Sequence, residues 1–125
     1  MPKRHQGRTI NMSDCLFCKI IEGSIPSDKV FEDDDFIAFK DINPQSKIHI
    51  LVVPKKHIEM LSGCGEDEKD ILSGLLLTAN NVAKILHIDE TGYRVVVNSG
   101  SDGGQIIFHL HLHLMGGSKL NDKMG

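Results

Sequence analysis

Ser99-Gly-Ser-Asp-Gly-Gly-Gln-Ile-Ile-Phe-His-Leu-His-Leu-His-Leu-Met115 is the stretch that decides how the rest of the chain reads. From Ile106 to Met115 polar and apolar residues alternate with period two, which predicts a β-strand with one face on a core. His109, His111 and His113 then share one face, and Phe108, Leu110, Leu112 and Leu114 share the other. The segment before it, with Gly100, Gly103 and Gly104, reads as a flexible loop whose backbone N–H groups can approach an anion. An imidazole ladder following an amide-rich loop points to phosphate chemistry.

Working outward, Tyr93–Asn98 reads as a strand, and Glu66–His87 as the one long helix. In that helix Ile71, Leu72, Leu75, Leu76, Ala79, Val82, Ala83 and Leu86 form an apolar stripe. Acids open it, and Lys84 and His87 close it, as the helix dipole favours. Lys47 to Val53, ending at Pro54, reads as a central strand carrying His49. Val30–Glu32 and Phe36–Phe39 flank Asp33, Asp34 and Asp35, a hairpin with a solvated acidic turn. Residues 15–22 form a short amphipathic helix stopped by Gly23 and Pro26. The class is α+β: an antiparallel sheet of about five strands with one long helix on its face.

The chain has 125 residues, 40% apolar and 25% charged, enough for one domain with a real core. Residues 1–14 read as an arm outside that domain, 15–117 as the domain, and 118–125 as a polar tail. Without the first eleven residues, 11 basic residues face 17 acidic ones, net −6, which argues against binding nucleic acid. No apolar stretch is long enough to span a membrane. The three cysteines make no secreted disulfide framework and suit a reducing cytoplasm.

Three readings of the ladder compete. A plain surface strand would gain nothing from three alternating histidines, and an uncommitted buried imidazole face is costly. A single metal on all three fails on distance, because His109 and His113 lie about 13 Å apart along a strand whereas zinc–nitrogen bonds are about 2 Å. Catalysis on a phosphate fits best: crowded imidazoles cannot all be charged, so one can attack while another binds oxygen.

His109-Leu-His111-Leu-His113-Leu-Met115 resembles the signature of the histidine triad (HIT) superfamily. The likeness extends to Phe31-Glu-Asp, Phe39-Lys-Asp41-Ile-Asn-Pro44, His49-Ile-Leu-Val-Val-Pro54-Lys-Lys-His57, Gly92-Tyr-Arg-Val-Val-Val-Asn98 and Ser101-Asp-Gly-Gly-Gln105. It is nearest to the Hint branch. The resemblance implies a homodimeric hydrolase of purine nucleoside 5′-phosphoramidates, with acyl-adenylates as alternative substrates and no cofactor required for catalysis. A low-turnover nucleotide-binding or zinc-binding module is the other reading. By position, His111 would be the nucleophile, His113 would contact the phosphate and assist the leaving amine, and His49 and His109 would complete a proton-linked network. Asp41 would accept from the ribose hydroxyls, and Phe17, Ile20, Phe39 and Ile42 would line the base pocket. Asn98, Gly104 and Gln105 would address the phosphate, with Ile106 offering only its N–H where relatives often carry a hydroxyl.

The Cys15-x-x-Cys18 spacing suits either half of a tetrahedral zinc site or two thiols that only pack the first helix onto the sheet. The resemblance implies a structural zinc completed by His49 and His109. His57, after Pro54-Lys55-Lys56, is expected to be structural or on the surface.

Overall fold

The computed structural model describes residues 14–123; the arm expected over residues 1–14 lies, but for Asp14, outside them. Five strands form one antiparallel sheet: β1 (Lys29–Glu32), β2 (Phe36–Lys40), β3 (Ile48–Pro54), β4 (Tyr93–Val96) and β5 (Leu112–Gly116), in the order β1-β2-β3-β5-β4. Two helices complete the fold, α1 (Leu16–Glu22) and α2 (Lys69–Ile85). None of the described helices is long and apolar enough to cross a membrane.

Period two sorts β3 onto two faces. Ile50 and Val52 join Phe36, Ala38, Leu110, Leu112 and Leu114 in a core roofed by Leu75, Ala79, Val82 and Ala83 of α2. Leu51 and Val53 join Ile37 and Phe39 on the opposite face, where Cys15 and Phe17 of the α1 segment cover them. The first face holds the fold together, and the second carries the histidines.

The long helix is shorter than its expected 66–87 span, because Glu66–Glu68 is a separate 3-10 turn and His87 turns left-handed at φ 60°. Leu76 also leaves the expected stripe and is exposed, since residues 75, 78, 79, 82 and 83 already fill the buried face. The acidic turn does more than face water: Asp33 Oδ1 accepts from the amides of Asp35 (2.8 Å) and Phe36 (2.7 Å) and so closes the hairpin. The histidine segment is a strand only from Leu112 onward. Before that its backbone bonds elsewhere, Leu110 N–H donating to the Ile58 carbonyl at 2.6 Å. Its side chains still alternate, with Leu110 in the α2 core, although Phe108 is only partly buried.

Candidate active site

The sheet register sets the histidines in place. Pairing of β3 with β5 puts His49 opposite Met115 and Leu51 opposite His113, so His49 and His113 are same-face diagonal neighbours. Their rings meet at His49 Nε2 to His113 Nδ1, 2.9 Å. The His111 ring follows, centroid 5.0 Å from that of His113, and Phe17 of α1 meets His111 edge-on.

Each ring's partner assigns its proton. His111 Nδ1 lies 2.7 Å from the His109 carbonyl oxygen. A carbonyl only accepts, so Nδ1 carries the hydrogen and Nε2 keeps its lone pair. Burial pushes His111 below the ordinary imidazole pKa, opposed by that hydrogen bond and by Asp41. The ring is thus neutral at pH 7, with a free nitrogen suited to attack. Burial, helped by repulsion from His111 and His49, pushes His113 down to about 4. Asp41 joins the group with Oδ2 3.4 Å from His49 Nε2, while its Oδ1 accepts from the Asn43 amide at 2.9 Å.

His109 looks the other way. Its Nε2–H donates to the Pro54 carbonyl at 2.7 Å, leaving Nδ1 as a lone pair aimed at the cysteines. Around that atom stand Cys15 Sγ at 3.4 Å, Cys18 Sγ at 3.6 Å and His57 Nδ1 at 3.2 Å, with Cys18 Sγ 3.3 Å from His57 Nδ1. A tetrahedral zinc with sulfur at about 2.3 Å and nitrogen at about 2.05 Å has nitrogen–nitrogen and nitrogen–sulfur edges of ~3.3–3.6 Å. The donor set therefore fits zinc, and the Nε2–H bond of His109 is the outer partner such a ligand uses. Burial and the neighbouring Cys15 push the Cys18 thiol up to about 12, a cost that a divalent cation would remove.

His49 is not in that cluster. The expected ligand set of Cys15, Cys18, His49 and His109 is corrected to Cys15, Cys18, His57 and His109. The reason is register: β5 runs antiparallel to β3, so if His113 faces Leu51, His109 lands beyond Pro54, beside His57. This also takes His109 out of the expected proton network.

The glycine loop is less flexible than expected. Gly104 and Gln105 donate their amides to the Ser101 and Gly100 carbonyls, leaving Ile106 as the one of the three whose N–H has no partner among the described residues. The Gln105 side chain accepts from Gly100 N–H (2.9 Å) and donates to the Glu59 (2.7 Å) and Ile107 (3.0 Å) carbonyls, so it clasps the loop instead of addressing a phosphate. A Cβ at Gly103 would sit 2.7 Å from the Ser99 carbonyl oxygen, and Gly104 adopts φ 91°, so both positions require glycine. Gly104 lies against the half-buried Asn98 side chain. Phe17, Phe39 and Ile20 gather in one cluster, whereas Ile42 is 90% exposed and Ile106 85%.

The HIT domain model matches residues 22–120. The chain is a member of the HIT domain family. A HIT-like protein of Chlamydia muridarum is 47% identical over 108 residues, 84% of this chain and 82% of that one. A HIT family hydrolase from Legionella pneumophila superposes with TM-score 0.86 at 44% identity, covering 89% of this chain and 99% of that one. A histidine triad nucleotide-binding protein from Candida albicans gives TM-score 0.72 at 32% identity, covering 89% and 86%.

Two features of this HIT domain escaped the sequence reading. His57 Nε2 is buried with no hydrogen-bond partner among the described residues, and the ring's other nitrogen faces the cysteine pair, so His57 belongs to the donor cluster. The signal was available in its distance from His49, eight residues on and across a strand's full length. The second is the Gln45 main-chain amide, which donates to His49 Nδ1 at 2.9 Å and leaves no mark on side-chain pattern.

Proposed function

We propose that this HIT domain hydrolyses the P–N bond of purine nucleoside 5′-phosphoramidates, and acyl-adenylates by the same route. The observation that carries the reading is the His111 Nδ1 to His109 carbonyl bond, which leaves a buried neutral Nε2 for attack. Nε2 forms a bond to the α-phosphorus while the P–N bond breaks, and the amine leaves with the bonding pair and a proton delivered by His113, which the water of the next step restores. Water then attacks phosphorus, releasing the nucleoside monophosphate and free His111. His113 holds a phosphoryl oxygen and stands by the departing nitrogen, and the Ile106 amide stabilises the developing charge. Asp41 takes the ribose hydroxyls, and Phe17, Ile20, Phe39 and Ile42 bracket the base, with Ile42 exposed until it does so. The names of the Legionella and Candida relatives, a hydrolase and a nucleotide-binding protein, support this class.

Rapid-quench mass spectrometry with an adenosine phosphoramidate tests it: an acid-labile AMP adduct on His111 is expected, absent in His111→Ala along with turnover. Equal, negligible turnover in both proteins would favour the second reading, a low-turnover nucleotide- or zinc-binding module, which the Cys15/Cys18/His57/His109 donor set supports.

The unit that works is, in this proposal, a cytoplasmic homodimer. β4 is a sheet edge with Val95 exposed, and Leu76, Leu77 and Ile85 stand exposed on α2. An open strand edge and an apolar helix face are suited to pairing with a second copy. Three unpaired cysteines suit a reducing compartment. Sedimentation of wild type and Leu77→Lys checks the assembly, a twofold drop in mass being expected for the variant.

A further inference from the structure

The loop between β2 and β3 is built so that one main-chain N–H points back at His49. Asp41 N–H donates to the His49 carbonyl at 3.0 Å, and the Asp41 carboxylate accepts from Asn43 N–H. Gln45 Nε2 donates to the Asn43 carbonyl at 3.3 Å, and Ser46 Oγ to the Ile48 carbonyl. Held this way, Gln45 N–H donates to His49 Nδ1 at 2.9 Å.

The consequence is chemical. An amide N–H can only donate, so Nδ1 must keep its lone pair, and the single proton of a neutral His49 must sit on Nε2. That proton faces His113 Nδ1 at 2.9 Å and Asp41 Oδ2 at 3.4 Å. His113 therefore accepts at Nδ1 and keeps its own hydrogen on Nε2. A cationic His49 would set Nδ1–H against the Gln45 N–H, so the ring cannot charge without breaking the loop's contact. The groups that bear on its charge are Asp41, after β2, and His113, in β5. Asp41 favours the cation, but at the longer distance and with its other oxygen already engaged, and burial opposes it.

We propose that the Gln45 main-chain amide is a positioning group of the reaction, locking His49 as a fixed Nε2–H donor that orients His113 and passes no proton on. His49 is thus a prop within the histidine row, and not a member of a proton relay. The kinetic part of this inference rests on the hydrolase reading; the spectroscopic part is read on the free protein and stands apart from it.

Long-range proton–nitrogen NMR on the 15N-labelled full chain, from pH 9 to pH 6, tests the tautomer. The expected result is a His49 ring protonated on Nε2 throughout, with a second ring proton or a change of tautomer in Gln45→Pro, which deletes the N–H, but not in Gln45→Ala, which deletes only the side-chain bond to Asn43. A wild-type ring protonated on Nδ1 at pH 7, or an unchanged His49 signature in Gln45→Pro, would overturn the proposal. Should Gln45→Pro fail to fold, the pair His49→Gln and His49→Leu decides. Glutamine offers an N–H near the Nε2 position but cannot shuttle a proton, so its kcat should exceed that of His49→Leu about tenfold, the worth of one hydrogen bond. Equal losses of about a hundredfold in both, the size of an acid–base role, would overturn it.

Discussion

The Phe17 ring stands edge-on to the His111 imidazole, centroids 5.1 Å apart and planes at 89°. The same ring lies 5.6 Å from Phe39, so the first helix, the second strand and His111 share one contact. Phe17→Ala should cost about 3–5 kcal/mol of stability, the usual loss for a buried aromatic. Urea unfolding measures that cost. Hydrolysis of a fluorogenic phosphoramidate by the folded fraction should also fall, because His111 loses the wall that holds it.

Metal binding at Cys15, Cys18, His57 and His109 should show as one zinc per chain in protein purified without chelator or nickel. Cys18→Ser and His57→Ala should lose it, and His49→Leu should keep it. At a hundred times its Kd, a bound ion stabilises by about 2.7 kcal/mol, so chelation should lower Tm by about 10 °C. Zinc retained by His57→Ala and lost by His49→Leu would reverse the ligand set argued above.

Gly74 sits inside α2, where alanine ordinarily gains about 1 kcal/mol. A Cβ there would lie 2.7 Å from two ring atoms of Phe36, which is buried in the core. Overpacking costs about 1–3 kcal/mol, so Gly74→Ala should be net destabilising by up to about 2 kcal/mol. A denaturant midpoint at or above wild type would show that the Phe36 ring yields freely.

The histidines set the acid limb of stability. His113 falls from 6.5 to about 4 on folding, chiefly through burial. Between those values the unfolded chain binds the extra proton and the folded chain does not, so stability is full above pH 6.5 and declines as pH falls toward 4. Urea midpoints measured across that window should drop, and His113→Gln should flatten the decline. A midpoint rising on acidification would contradict the neutral ring.

Much of this was legible in sequence, because period-two alternation and helical spacing report burial directly. The two-faced β3, the α2 stripe and an antiparallel α+β sheet follow from it, and the resemblance of the histidine segment adds the HIT family. What sequence hid was set by pairing register and by main-chain groups. His49 lies near the start of β3 and His57 three residues past its end, and only the antiparallel run of β5 decides which meets His109. Gln105 matched the family pattern, yet its three hydrogen bonds turn it inward to hold the loop. The stretch before Leu112 alternates like a strand but pairs with no neighbour of the sheet, a distinction that composition does not record.

The oxygen that fixes the proton on His111 belongs to the backbone of residue 109, while that residue's ring serves the cysteine cluster. Mutational drift at position 109 can erase the ring but not the oxygen. A lineage is therefore free to lose the imidazole that faces the cysteines without forfeiting the carbonyl that orients His111, since inheritance of the two is separable at a single codon.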